Sequence, residues 1–368
     1  MPGIDRRLIQ NFEWTTFALV AFLGAVGVLN LVSASPEQTP GMPGTALRQL
    51  AWLGVGFCAL LAGLLPDYRR LERLALPFYA LCVVLLVAVL FVGPVINGSQ
   101  RWIVMGPARM QPSELTKIAV LVLFARLLSR RASVADMTFG ELALPGVLLA
   151  LPVVLVLRQP DLGTALVIAL IAGSFLLLAR VRASFVVWMA GASAVAASLA
   201  WMFYLRDYQK ERLLTFLDPD RDPLGTAYHA IQSQIAVGAG GLFGEGFLRG
   251  SQSQLDFLPE QQTDFVFSVL AEEWGFVGAG LVLCVYVALM LRGLLIARAS
   301  KDVFGCGIAL GVVALLFWSG AINVGMVLGV LPVVGVPLPF LSAGGSALVT
   351  NMLGVGLLMN ISMRRYLF

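Results

Sequence analysis

Charge is scarce in this chain of 368 residues: Asp, Glu, Lys and Arg together supply only 12% of it. A water-soluble domain of that length needs far more polar surface, so the scarcity excludes one. Histidine is scarcer still. With His229 alone, two-histidine zinc motifs are excluded. Cysteine is limited to Cys58, Cys82, Cys284 and Cys306, with no Cys-x-x-Cys pair. All four sit in or beside apolar runs, where they read as small packed hydrophobes. No basic stretch carries interleaved aromatics, so nucleic acid is not an expected partner. A convincing internal repeat and a low-complexity tail are also missing.

What the chain has is apolar length. Hydrophobic residues make up 59% of it and its mean hydropathy is +0.87. That is enough for about ten spanning helices of roughly 17–25 residues each. Apolar runs between turns and charges predict spans near 15–34, 49–65, 74–95, 112–128, 142–157, 162–179, 184–204, 265–291, 303–330 and 343–362. Val32-Ser33-Ala34 resembles a signal-peptidase site. The apolar stretch from Phe17 to Val32 is long for a signal sequence, however, and predicts a retained helix. The expectation is an all-α polytopic membrane protein forming one domain over 1–368.

Basic residues give its orientation. Arg6, Arg7, Arg69, Arg70, Arg73, Arg126, Arg130, Arg131, Arg180, Arg182, Arg292, Arg298, Lys301, Arg364 and Arg365 are 15 of the 25, and they occupy the turns on one side. The positive-inside rule makes that side cytoplasmic and puts both termini there. The segment 205–263 is then a long outer loop, rich in charge from Asp207, Lys210, Glu211 and Arg212 through to Asp256 and Glu260. A loop this long in a compact protein is usually functional or disordered. Its apolar stretches, such as Ile231 to Val237, predict short segments lying on the membrane surface or dipping into it. Asp218-Pro219-Asp220-Arg221-Asp222 mimics a calcium loop, but Pro223 and His229 stand where Gly and Glu are needed. The glycine-rich run from Gly238 to Gly246 follows no expected strand, so it makes a poor phosphate loop.

Several polar groups approach the outer half of the membrane on different helices. Gln111-Pro112-Ser113-Glu114-Leu115-Thr116-Lys117 opens the fourth span, with Pro112 suited to the first helical turn. Glu114 and Lys117 share a face and can pair. They form either a helix-end ion pair that fixes packing or the wall of a polar cavity for an anionic headgroup. Asp161, in Gln159-Pro160-Asp161-Leu162-Gly163-Thr164, can cap the sixth span. Arg101 and Arg109 lie in a neighbouring outer turn, where they either snorkel to lipid phosphate or serve a site. Leu258-Pro259-Glu260-Gln261-Gln262-Thr263-Asp264-Phe265 starts the eighth span, and by pattern Asp264 is a helix cap or a reactive group. Glu272 and Glu273, farther in, point to a polar interior face.

On these motifs the sequence resembles the SEDS family, named for shape, elongation, division and sporulation. The resemblance covers nearly the whole chain. Gln100-Arg101-Trp102-Ile103 carries it, as do the motifs around Glu114, Asp161 and Asp264 and the run Ala271-Glu272-Glu273. Pro337-Leu338-Pro339-Phe340-Leu341-Ser342 with Gly344-Gly345 carries it too. Tyr228-His229-Ala230-Ile231-Gln232-Ser233 and Gly250-Ser251-Gln252-Ser253-Gln254-Leu255 are similar to its elongation branch, RodA. Gln261-Gln262 departs from the family's usual pair there but leaves Asp264 in place.

The resemblance implies a ten-helix fold of GT-C type in the bacterial inner membrane. It implies a peptidoglycan glycosyltransferase polymerising lipid II, the undecaprenyl-diphosphate-linked disaccharide pentapeptide, at the outer face for cell elongation and shape. Its expected partners are a class B penicillin-binding protein, which cross-links the product, and other elongation-complex proteins. The family's catalytic aspartate maps onto Asp264, expected to act as general base on the GlcNAc 4-hydroxyl. Arg101, Lys117, Lys210 and Arg212 are candidates to neutralise the departing diphosphate, with Glu114 and Asp161 in support. A divalent cation, Mg or Mn, could share that task, although no ligand set is readable. The rival readings are a lipid II flippase, disfavoured because no repeat is visible and the polar groups cluster outward, and a non-catalytic scaffold for a synthase. Asp220→Cys should react with impermeant thiol reagents from outside the cell. Reaction from the cytoplasm alone would overturn the map and the outer site together.

Overall fold

In a bilayer an apolar run becomes a helix because no water is present to satisfy a bare backbone. The computed structural model describes residues 10–35, 44–96, 98–106, 108–130, 139–177, 187, 191, 194–195, 198, 201–203, 207–218, 222, 227–255, 257–258 and 260–365. Helices α1 (Trp14–Ser33), α2 (Gly44–Leu64) and α3 (Arg69–Val92) come first. A hairpin of β1 (Ile103–Met105) and β2 (Ala108–Met110) follows, pairing Ile103 with Met110. Next are α4 (Pro112–Ser129), α5 (Phe139–Arg158), α6 (Leu162–Ser174), α7 (Asp207–Leu217), α8 (Tyr228–Ala239) and α9 (Ser251–Gln254). The chain closes with α10 (Val266–Arg298), α11 (Val303–Val327) and α12 (Gly345–Arg364). Among the described residues six helices, α1 to α3 and α10 to α12, are long and apolar enough to cross a membrane. With α4, α5 and α6, nine of the ten expected spans have a helix at the expected place. The seventh, 184–204, falls mainly outside the described residues, as do Arg6, Arg7, Arg131, Arg180, Arg182 and Asp220.

The centre of the bundle is α4. Pro112 opens it at the first turn, where a missing N–H costs nothing. From Pro112 to Ala125 it is buried nearly all round, as a core helix must be. It packs against α3, α5, α6, α11 and α12. Ile118, Leu121 and Val122 interlock there with Val312 and Leu315. At the end holding the termini, Glu13 pairs with Arg292 and accepts from the Ser362 hydroxyl at 2.7 Å, which ties the start of the chain to α10 and α12.

The expected outer loop carries three helices, α7, α8 and α9. In α8, the Ser233 hydroxyl lies 2.8 Å from that of Ser268 and donates to the Val327 carbonyl at 2.9 Å, so this segment packs onto α10 and α11. Beyond it the glycine run meets a break in α10. Gly275 leaves the helix with φ 64° and ψ −170°, freeing carbonyls before it and amides after it. The Glu245 and Gly246 amides donate to the carbonyls of Glu272 and Glu273 at 3.0 and 3.1 Å. The Phe276 and Val277 amides donate to the carbonyls of Gly241 and Leu242 at 2.9 and 3.1 Å. The run is therefore a clasp that satisfies a broken helix from outside.

Glu272 and Glu273 hold the same clasp. Glu272 accepts the free amides of Gln252 and Ser253 in α9 at 2.7 and 3.2 Å. Glu273 accepts the Leu248 amide at 3.0 Å and the Ser33 hydroxyl. The contact is tight enough to require glycine, since a methyl at Gly240 would collide with the Ala271 carbonyl oxygen. Gly240→Ala should cost about 1–3 kcal/mol or more by overpacking. Gly238→Ala meets open space in a helix and should be neutral or stabilising by about 0.5–1 kcal/mol. Thermal melting of the two purified variants checks the contrast, and equal melting temperatures would remove the clasp's importance.

Candidate functional site

Asp264 sits in a tight turn just before α10. The amides of Thr263, Asp264 and Phe265 all donate to the Glu260 carbonyl, at 3.1, 3.1 and 3.3 Å. Glu260 takes the left-handed conformation, φ 53°, to make this turn. The N-cap of α10 is Phe265, with no side-chain hydrogen bond closing it. The capping alternative for Asp264 therefore fails. Its half-buried carboxylate receives no hydrogen bond and no direct ion pair among the described residues.

The backbone around that carboxylate is tightly held. Asn323 of α11 donates through Nδ2 to the Asp264 carbonyl at 2.8 Å and to the Val336 carbonyl at 2.8 Å. The Ser342 hydroxyl donates to the Thr263 carbonyl at 2.6 Å, and the Ala343 amide to the Gln262 carbonyl at 2.8 Å. A methyl added to Gly335 would come within 3.4 Å of Asp264 Oδ2. Burial pushes the Asp264 carboxyl up to about 6; Glu260 and Asp161 push it the same way, against Arg101 and Arg212. The His229 ring stacks on Phe265, with centroids 6.2 Å apart and planes at 15°. Burial and the Arg212 charge hold that imidazole below its usual value, with Glu260 opposing them.

Asp161 does cap a helix, and it does more. Its Oδ1 accepts the Thr164 amide at 3.0 Å, closing the start of α6. Its Oδ2 accepts from the Thr164 hydroxyl at 3.0 Å and from Gln111 Nε2 at 2.8 Å. Arg101 Nη1 lies 3.6 Å from the same oxygen. The outer ends of α4 and α6 are thus tied to the turn that carries Arg101, and Arg101 and Asp161 both fall in the electrostatic surroundings of Asp264.

Arg212 of α7 joins this group, donating to the Val333 carbonyl at 3.4 Å. Lys210, two residues earlier and partly exposed, makes no ion pair among the described residues. Lys117 meets Glu114 at 2.7 Å, with side chains only 3% and 5% exposed. That bridge is closed inside the bundle, the geometry of a packing pair rather than of a wall open to a headgroup. Among the described residues no three His, Cys, Asp or Glu side chains are placed to hold a metal ion.

The structure therefore gathers Asp264, Arg101, Asp161 and Arg212 in one electrostatic neighbourhood, while Glu114 and Lys117 pair with each other. Sequence reasoning missed Asn323, whose only signal is an amide in an otherwise apolar span, and the turn-making part of Glu260. Removing either partner of the Glu114–Lys117 bridge strands a buried charge, at a cost on the order of 3–5 kcal/mol. Glu114→Ala and Lys117→Ala should each melt far below the parent protein. The double variant carrying Glu114→Gln and Lys117→Met should recover much of the loss, since it strands no charge. A double variant as unstable as the singles would argue against the pairing.

A family model described as cell cycle protein, FtsW/RodA/SpoVE, matches residues 10–367. The peptidoglycan glycosyltransferase MrdB of Escherichia coli K12 is 42% identical over 360 residues, covering 96% of this chain and 94% of its own. The peptidoglycan glycosyltransferase RodA of Treponema pallidum is 33% identical, covering 98% and 99%. A chain from a solved peptidoglycan synthase complex that coordinates polymerization and crosslinking superposes with a TM-score of 0.82, 35% identity and 96% and 98% coverage. The rod shape determining protein RodA of Thermus thermophilus superposes at 0.72 with 31% identity and the same coverage. With its helices, its motifs and these matches running from end to end, the chain belongs to the FtsW/RodA/SpoVE family and is a multi-pass membrane protein.

Proposed function

We propose that this protein is a peptidoglycan glycosyltransferase that extends glycan strands from lipid II, with Asp264 as general base. One observation carries the reading: a half-buried carboxylate, raised to about 6, accepts no hydrogen bond among the described residues yet lies in the field of Arg101 and Arg212. Buried carboxylates are normally satisfied, and a base near neutrality must be free to take a proton. The relatives named as peptidoglycan glycosyltransferases support the reaction class.

In this reaction the GlcNAc 4-hydroxyl loses its proton to the Asp264 carboxylate as its oxygen bonds to the MurNAc anomeric carbon. The bond from that carbon to the diphosphate breaks with inversion, and undecaprenyl diphosphate leaves. Arg101 and Arg212 stabilise the charge that develops on it, and Lys210, on the same short helix as Arg212, contributes at longer range. Asp161 and Gln111 hold Arg101 in place. Were a magnesium or manganese ion bound, exposed Glu260 would be a protein carboxylate available to hold it. It would neutralise charge on the leaving group.

The site then faces the outside of the bacterial inner membrane, with both chain termini cytoplasmic. A class B penicillin-binding protein is the partner, a reading supported by the relative found in a synthase complex. The break at Gly275 would favour a transporter, where unwound backbone binds cargo, but here the clasp already occupies the freed groups.

The sign of the Asp264 shift makes this testable. Its folded value, about 6, lies above the ordinary 3.8, so the native state binds the proton more tightly. This group's contribution to stability is full below about pH 4 and is lost as pH rises through about 6. Above pH 6 the ionised carboxylate costs on the order of 1–3 kcal/mol. Asp264→Asn should therefore melt no lower than the parent protein at pH 7.5, and lose any advantage near pH 4. Its glycan synthesis from purified lipid II, with the transpeptidase present, should fall roughly 10²-fold or more. Wild-type synthesis should rise with pH through about 6. Undiminished polymerisation by a folded Asp264→Asn variant would falsify the base assignment and return the scaffold reading.

A further inference from the structure

We infer that Asn323 is a positioning residue for Asp264, locking the base to the non-helical segment 333–336; the inference rests on the reading of Asp264 as general base. Asn323 is fully buried on α11, where the Asp264 turn and a strap both reach it. Its one amide nitrogen spans both, at 2.8 Å to the Asp264 carbonyl and 2.8 Å to the Val336 carbonyl. An amide supplies the two N–H groups this requires, and no apolar residue in its place could supply either. Its Oδ1 stays buried without a partner among the described residues. Such an orphan acceptor costs about 1–3 kcal/mol, which mere packing would not sustain.

The strap is where the rest of the site converges. Arg212 donates to its Val333 carbonyl. Gly163, two residues after Asp161, has no room for a side chain because the Val334 carbonyl and the Val336 side chain press on it. Gly335, at φ 72°, passes beside the Asp264 carboxylate where a bulkier residue would crowd it. Downstream the strap runs into the Pro337–Ser342 motif, whose Ser342 hydroxyl accepts the Leu338 amide at 2.8 Å and donates to the Thr263 carbonyl. Asn323, Ser342 and the Ala343 amide thus all join the Asp264 turn to the strap and the motif after it, but of these links only that of Asn323 falls on Asp264 itself. A base whose backbone is released moves relative to the arginines, and a misplacement of about 1 Å costs on the order of 10²-fold in rate.

The test uses the full chain purified with its transpeptidase, as Asn323→Ala and as Asn323→Ser, which keeps one hydroxyl donor. Polymerisation of lipid II is measured for kcat and KM, and Asp264 is labelled with a hydrophobic carbodiimide across pH and quantified by mass spectrometry. Asn323→Ala should lower kcat by 10- to 100-fold with KM within about twofold, and should move the labelling midpoint of Asp264. Asn323→Ser should recover part of both. Should the alanine variant melt below the assay temperature, the serine variant decides on the same two readouts. An unchanged kcat with an unchanged midpoint overturns the inference. A moved midpoint with unchanged kcat upholds the positioning and instead removes Asp264 as the base.

Discussion

A backbone interrupted inside a membrane has to find its hydrogen bonds within the protein, because each unsatisfied group there costs several kcal/mol. The break at Gly275 imposes that demand on this chain, and much of the outer architecture answers it. The glycine run supplies donors to one side of the gap and acceptors to the other. Glu272 and Glu273 then anchor the segment beyond the run, including α9. The first part of α10, from Val266, is in this way fixed at an angle of its own, with Asn30 of α1 donating to the Val266 carbonyl at 2.7 Å. Asp264 stands directly at its mouth, so the clasp and the site are parts of one construction.

The treatment of buried charge at three acids follows the same logic. Glu13 has Arg292 and Ser362, Glu114 has Lys117, and Asp161 has a helix start, a glutamine and an arginine. Each of these buried acids is satisfied, as low-dielectric surroundings require. Asp264, by contrast, is held by its backbone and left without a carboxylate partner among the described residues. Natural sequences break local rules mainly at functional sites, and the surrounding strain at Glu260, φ 53°, is of the kind that persists only where neighbouring structure enforces it.

Much of this was legible in the linear chain. The spans were, because burial in lipid needs long apolar runs whatever the tertiary arrangement; nine of the ten expected segments hold helices. Asp161 as a cap was legible too, since an N-cap is a contact between near neighbours. The glycine run was not. Its purpose depends on Gly275, some thirty residues on, and glycine spacing carries no mark of a distant partner. The closed Glu114–Lys117 bridge was readable as a pair, but whether it opened to a cavity depended on α3, α6, α11 and α12 around it. Lys210 looked equivalent to Arg212 in the sequence, and only the fold sets Arg212 against the strap.

The sequence by itself determined the class of molecule, the family and the short-range chemistry, because hydropathy and helix caps are local properties. Tertiary structure decided which charges meet. Arg101, Asp161, Arg212 and Asp264 come from four separate stretches of chain, and their shared field exists only once the helices pack. It also decided that Asp264 is not the cap of α10, since that turns on the geometry of one turn and on an amide, Asn323, reaching across from α11.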